Sequence, residues 1–186
     1  MGVGANAVFN FGRIKILIGL GNPKPAYEKT YHNAGFLFAD FTTRFLGSME
    51  KEWKTKDSFA YRKAGALIVV KSLAFMNDSG RAVSAAARFF KAEPTQILVV
   101  HDDSDIAIGS FKISFGRGSA GHKGAASAIK YLKTKNFWRL RIGVRPTNEA
   151  ERKKAGEFVL KKVSAANEKI LNNVFRKVAS GAGLTA

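Results

Sequence analysis

Apolar positions recur along the chain in two rhythms. Ile14-Lys-Ile-Leu-Ile18 is β-branched, apolar and bounded by Gly19 and Gly21, which predicts a buried first strand. Asn22-Pro-Lys-Pro25 forbids an immediate helix, because each proline pushes its predecessor toward extended geometry. Phe38, Phe41 and Phe45 then fall at helical spacing and predict a helix over 34–46. Residues 59–62 and 67–70 predict a hairpin around Gly65. A helix over 79–91 follows, with Val83, Ala86, Ala87 and Phe90 on one face and Arg81, Ser84, Arg88 and Lys91 on another. Residues 97–100 predict a buried strand ending at the acidic cluster of His101 to Asp105. Phe111, Ile113 and Phe115, and then Leu140, Ile142 and Val144, alternate with polar or small residues and predict half-exposed strands. Between them, a glycine-rich loop over 116–124 feeds a helix to about residue 133, and Ser164 caps a closing helix with Ile170, Leu171, Val174, Phe175 and Val178 on its apolar face.

Strands alternating with helices predict a single α/β domain over 1–186, a three-layer α/β/α sandwich around a twisted, mixed and largely parallel sheet, with residues 1–13 as a flexible N-terminal extension. Composition narrows the functions this scaffold can carry. With no cysteine, disulfide frameworks, zinc ribbons, iron–sulfur ligand sets and cysteine nucleophiles are excluded. No apolar run reaches the roughly 20 residues of a membrane span. The first fifteen residues lack a signal core with a cleavage site, so secretion is not expected, and an organelle matrix or the cytoplasm is. The 31 Lys and Arg against 14 Asp and Glu give a net charge of +17, which points to a polyanionic partner, most often nucleic acid.

Two glycine-rich stretches fail as nucleotide loops. Position 24 is Lys where a dinucleotide fingerprint needs its third Gly, and His122 precedes Lys123 where a Walker loop has Gly. Asp102, Asp103 and Asp105 suggest a cation loop, but Ala107 and Ile108 stand where an EF-hand needs a ligand and a Gly. No metal or other cofactor is expected. Imidazole chemistry near neutral pH must use His32, His101 or His122, and His32 stands out because it follows a strand-end Gly-Asn-Pro turn, where open α/β sheets place ligands.

At that point the sequence resembles a family. Gly19-Leu-Gly-Asn-Pro23, Tyr27 and Thr30-Tyr-His-Asn-Ala-Gly35 are similar to the signature of bacterial-type peptidyl-tRNA hydrolases, with the same ten-residue step from Asn22 to His32. Phe75-Met-Asn-Asp-Ser-Gly80, His101-Asp-Asp-Ser-Asp105 and Gly121-His-Lys-Gly124 resemble three further family motifs in order. Arg139-Leu-Arg-Ile-Gly143 and Phe158-Val-Leu160 resemble its closing strands. The resemblance implies that His32 is the catalytic base, Asp102 the carboxylate that orients it, and Asn22 and Asn77 the amides that hold substrate and help place the attacking water. Tyr27, Met76 and Lys123 fall in motifs expected to line the substrate site, and Lys112, Arg117 and Arg141 are expected to meet RNA. Ester hydrolysis suits these residue types: a neutral imidazole takes a proton from water, a carboxylate fixes its tautomer, and amides supply uncharged donors.

Two positions depart from the family. Its Arg before the catalytic His is Tyr31 here, and the Asn of its glycine-rich loop is Lys123, whose ammonium donates to phosphate but cannot accept a hydrogen bond. Two functions are therefore carried forward: a metal-free hydrolase of peptidyl-tRNA, and a noncatalytic RNA-binding protein on the same fold, attached to an organellar ribosome or active in intron splicing. The expected partners are peptidyl-tRNA or another RNA and a ribosome, with no membrane contact, and the free chain is expected to be a monomer.

Overall fold

The computed structural model describes residues 9–146 and 158–181. Seven strands form one mixed sheet: β1 (Ile16–Gly19), β2 (Lys54–Lys56), β3 (Phe59–Ala64), β4 (Leu67–Ser72), β5 (Ile97–Ala107), β6 (Phe111–Phe115) and β7 (Trp138–Arg145), in the order β2-β3-β4-β1-β5-β7-β6. The inner four, β4, β1, β5 and β7, run parallel, and β3 and β6 pair antiparallel at the two sides. Helices α1 (Ala34–Phe45) and α4 (Ala165–Gly181) cover one face, and α2 (Ser79–Phe89) and α3 (Lys123–Leu132) cover the other.

The three layers follow from the period-two pattern of strands buried on both sides. Leu17, Val69, Leu98, Val100, Leu140 and Ile142 pack toward Phe38 of α1 and toward Leu171, Val174, Phe175 and Val178 of α4. Their neighbours Ile16, Ile18, Val70, Ile97 and Val99 pack toward Ala82, Val83 and Ala86 of α2 and Ala128 of α3. No helix among the described residues is long and apolar enough to cross a membrane.

Three expectations are corrected, and one strand has no counterpart among them. Of the segment 1–13 expected to extend freely, residues 1–8 lie outside the described residues, whereas Phe11 is buried and Phe9 meets Phe11 and Trp138 edge-on. β5 does not stop at the acidic cluster but runs through it to Ala107, because Asp102 and Asp103 pair in register with Ile142 and Gly143 of β7. Phe158 is helical and Val159 and Leu160 form a turn, so the segment is not a strand. The short edge strand β2 was not expected, since its Lys-Thr-Lys is exposed throughout and carries no apolar signal.

The topology opens a crevice where the chemistry-bearing motifs end. From β1 the chain crosses one face through α1 on its way to β4, and from β4 it crosses the other face through α2 to reach β5, on the far side of β1. Connections diverging from neighbouring strand ends leave a ligand-sized gap there. Gly35 lets α1 sit directly on that edge: a Cβ at this position would lie 2.4 Å from the Val100 carbonyl oxygen and 2.5 Å from that of Leu20. Both obstacles are backbone, so Gly35→Ala is expected to cost at least about 3 kcal/mol of stability, read as a lower denaturation midpoint at unchanged slope. A loss under about 1 kcal/mol would mean that the helix can rise off the strand ends without penalty.

Candidate active site

His32 reaches the crevice from a 3-10 turn, Tyr31–Asn33, which leads directly into α1. The turn is held from outside as well: the His32 backbone N–H donates to the Val159 carbonyl at 2.7 Å, and Tyr31 N–H donates to that of Lys161. Tyr31 itself points away from the crevice. It is buried, stacks on Phe158 at 4.5 Å, and its hydroxyl accepts a hydrogen bond from Asn167 of α4 at 2.7 Å. Tyr31 therefore braces the turn from the core side and does not line the cleft.

Asp102 lies two residues beyond Val100, the partner of the last residue of β1, so nothing from β1 covers it. His32 Nδ1 stands 2.9 Å from Asp102 Oδ1 and 3.0 Å from Oδ2. His122 Nε2 stands 3.1 Å from Oδ1. The proton on His122 is fixed by a third contact: its Nδ1 accepts from the Ala125 N–H at 3.1 Å as it caps α3, so Nε2 carries the hydrogen and donates to Asp102. Two imidazole N–H groups thus converge on one buried carboxylate. Burial alone would raise the Asp102 carboxyl, but the hydrogen bonds from His122 and His32 outweigh it and hold the group well below the usual carboxylate range. His32, Asp102 and His122 are close enough together to enclose a cation. With its Nδ1 lone pair spent on Ala125, however, His122 offers Asp102 a proton rather than offering a metal an electron pair.

His101 completes the group from below. It is fully buried, its Nδ1–H donates to the Asp102 carbonyl at 2.6 Å, and its ring centre lies 4.2 Å from that of His122. Burial, with His122 alongside, keeps this imidazole well below its ordinary value and therefore neutral in the folded chain. The unfolded chain binds that proton below about pH 6.5, so the stability from the neutral ring is full above that pH and declines as pH falls, by up to about 1.4 kcal/mol per unit. Thermal unfolding midpoints should drop between pH 7 and 5, and His101→Gln should flatten the drop. An equally steep drop in the variant would assign it to other groups. Asp102, shifted downward, acts in a separate window, since its contribution is lost only below about pH 3.9.

Asn22, Tyr27, His32, Met76, Asn77, Asp102 and Lys123 all line one cleft of about 600 Å³, as His122 and Leu160 do. The Asn22 side-chain oxygen accepts from the Met76 N–H at 2.9 Å, which ties the first motif to the second and leaves its Nδ2 donors for a ligand. Asn33, which had no expected role, holds the Asn22 backbone at both ends, accepting from its N–H at 2.8 Å and donating to its carbonyl at 3.0 Å. Asn77 is exposed in the 3-10 turn Met76–Asp78, and Lys123 is exposed as the first residue of α3. The three expected RNA contacts are less unified. Lys112 and Arg141 face each other across β6 and β7, but Arg141 is half-buried and its Nε donates to Asp103 at 2.6 Å. Arg117 stands exposed on the glycine-rich loop, and none of the three lines the cleft. Two site residues, His122 and buried Arg139, were not expected. Arg139 Nη2 donates to the Gly118 carbonyl at 2.6 Å and so ties down the loop that carries His122.

Known proteins are similar to this chain over most of its length. The sequence matches the family model described as Peptidyl-tRNA hydrolase over residues 16–185. A peptidyl-tRNA hydrolase of Mycolicibacterium smegmatis is 39% identical over 173 residues, covering 91% of this chain and 89% of the relative. One of Bordetella petrii is 41% identical over 151 residues, covering 79% and 72%. The crystal structure of the Acinetobacter baumannii peptidyl-tRNA hydrolase superposes with a TM-score of 0.81 at 25% identity, over 96% of this chain and 90% of that one. With the four motifs drawn into one cleft and the match running nearly end to end, the chain belongs to the peptidyl-tRNA hydrolase family.

Proposed function

We propose that the chain hydrolyses the ester joining a peptide to the terminal ribose of tRNA, with His32 as general base. The observation that carries this reading is the pair of imidazoles on Asp102 at the floor of a cleft lined by two asparagines. Asp102 takes the Nδ1–H of His32, which leaves Nε2 as the basic nitrogen. Nε2 removes a proton from water as its oxygen attacks the ester carbonyl carbon. Amide donors of Asn22 and Asn77 stabilise the oxyanion, and the resulting imidazolium returns the proton to the ribose oxygen as the C–O bond breaks. Asp102 balances the imidazolium throughout, and His122 holds Asp102 in place with its own N–H. The tRNA, together with any ribosomal RNA met alongside it, is the polyanion that the +17 charge addresses.

Incubating the protein with a labelled peptidyl-tRNA analogue should release free peptide, with KM rising steeply with salt while kcat holds. RNA binding without release would replace the hydrolase reading with the noncatalytic one. Within the proposal, Lys123 trades catalytic efficiency for RNA affinity: at the cleft mouth it donates to phosphate, where an amide would both donate and accept. Lys123→Asn should therefore raise kcat and weaken tRNA binding by about fivefold, the worth of one phosphate contact. A fall in kcat would make Lys123 part of this chain's own mechanism.

A further inference from the structure

At the edge of the sheet formed by β2 and β3, on residues that do not line the cleft, aromatic and basic side chains share one surface. Phe89, the last residue of α2, is 48% exposed, an unusual position for a phenyl ring. It is not loose. Its ring meets Phe90 edge-on at 4.8 Å and lies 5.9 Å from Phe59 and 6.1 Å from Tyr61, so a packed aromatic cluster presents one ring outward. The antiparallel register sets two cations on the sheet face that carries this cluster. Lys56 stands directly opposite Phe59, and Lys63 follows Tyr61 by two residues, so both project from the face on which Phe59 and Tyr61 lie. Arg88 is exposed beside Phe89 on α2. Glu50 lies beside Lys63, whose backbone N–H it accepts, but its charge is offset by the Lys54 ammonium at 2.5 Å, so the pair adds no net charge to the surface.

We propose that this surface is a second RNA-binding site, on which an unpaired base stacks against Phe89 while Lys56, Lys63 and Arg88 hold the flanking phosphates. A preformed aromatic platform ringed by cations is what single-stranded RNA requires: every base offers a π face, and the backbone supplies charge at regular intervals. An anionic membrane is the poorer match, since a rigid cluster with a single outward ring offers little apolar surface to insert. The site is also distinct from the cation-bearing β6 and β7, because β2 and β6 are the two edges of the sheet, six strand spacings or about 29 Å apart. It therefore suits an unpaired loop of a second RNA segment rather than the acceptor end held at the cleft, and it does not depend on the ester chemistry.

The test uses the full-length protein and a fluorescent single-stranded RNA of about twelve nucleotides, carrying no ester and containing 4-thiouridine. Phe89→Ala should weaken binding by about fivefold to a hundredfold, the usual cost of removing one base stack. The double variant Lys56→Glu/Arg88→Glu, which leaves the aromatic cluster whole, should weaken binding as well and lower the salt slope by about 0.7 for each phosphate no longer neutralised. Ultraviolet crosslinks should fall on residues 59–63 and 88–90, and peptide release at saturating substrate should stay within about twofold of the parent in both variants. Unchanged RNA affinity in both variants would overturn the proposal, as would crosslinks confined to the glycine-rich loop and β6. So would weakening confined to phosphatidylglycerol vesicles, which would make the surface a lipid-binding one.

Discussion

Replacing His32 by alanine is expected to cut turnover of peptidyl-tRNA at least about a hundredfold while leaving RNA affinity nearly intact. The substitution removes the one imidazole that both meets Asp102 through Nδ1 and lines the cleft with its ring otherwise uncommitted. His122 cannot stand in for it, because one of its nitrogens caps α3 and the other already donates to Asp102. The His32 turn is also anchored by backbone, through His32 N–H to Val159 and Tyr31 N–H to Lys161, so the alanine variant should keep its fold. Turnover equal to that of the parent would reject His32 as the base.

Asp102→Asn should cost more than its size suggests, about a thousandfold or more in kcat. The carboxylate accepts from both imidazoles on Oδ1 and offers Oδ2 to His32 as well, 3.0 Å from its Nδ1, whereas a carboxamide keeps one oxygen and turns the other position into an NH2 donor. Once that oxygen serves His122, the Asn Nδ2 hydrogens face His32 Nδ1 and force it to accept. The proton then moves to Nε2, where the base should be. A ring locked in that tautomer cannot take a proton from water, although every side chain keeps its place. In the parent protein, the two imidazoles hold Asp102 ionised far into acid, so the pH profile of kcat should contain no carboxylate step near pH 4 to 5. A variant retaining a tenth or more of the parent kcat would show that tautomer control is not what Asp102 supplies.

Hydrophobic rhythm made most of the scaffold legible. Phe38 of α1, Val83, Ala86 and Ala87 of α2, and Leu171, Val174, Phe175 and Val178 of α4 are buried where the spacing selects them. Phe41, Phe45, Phe90 and Ile170 are half-buried, and Ser84, on the face expected to be polar, is buried. The β3–β4 hairpin turns at Gly65 with a left-handed φ of 60°. What escaped was decided by partners remote in sequence. Asp102 and Asp103 look like a loop because charges end strands, yet here β5 continues, since two imidazoles satisfy Asp102 and Arg141 satisfies Asp103. β2 is legible only through β3, which supplies its hydrogen bonds and its apolar neighbours. The crevice and its His32–Asp102 pair could be anticipated from motif order, but the convergence of His101 and His122 on the same aspartate could not. His101 neighbours Asp102 in sequence and His122 sits between glycines, but neither spacing shows that the two rings meet over one aspartate, 4.2 Å apart. Tyr31 shows the reverse: a departure that looked chemical in the sequence is structural, its ring packed on Phe158 behind the turn.

Attack of water, deprotonated by His32, on the ester carbonyl is the step on which the proposed mechanism stands. Its most direct measurement is a single turnover of an N-blocked aminoacyl-tRNA in ¹⁸O-labelled water, with excess protein, followed by mass analysis of both products. The mechanism predicts one ¹⁸O in the carboxylate of the released N-blocked amino acid, none in the 3′-hydroxyl of the tRNA, and release slowed at least about a hundredfold in His32→Ala. Label in the ribose hydroxyl, or no release by a protein that still binds the tRNA, would contradict it.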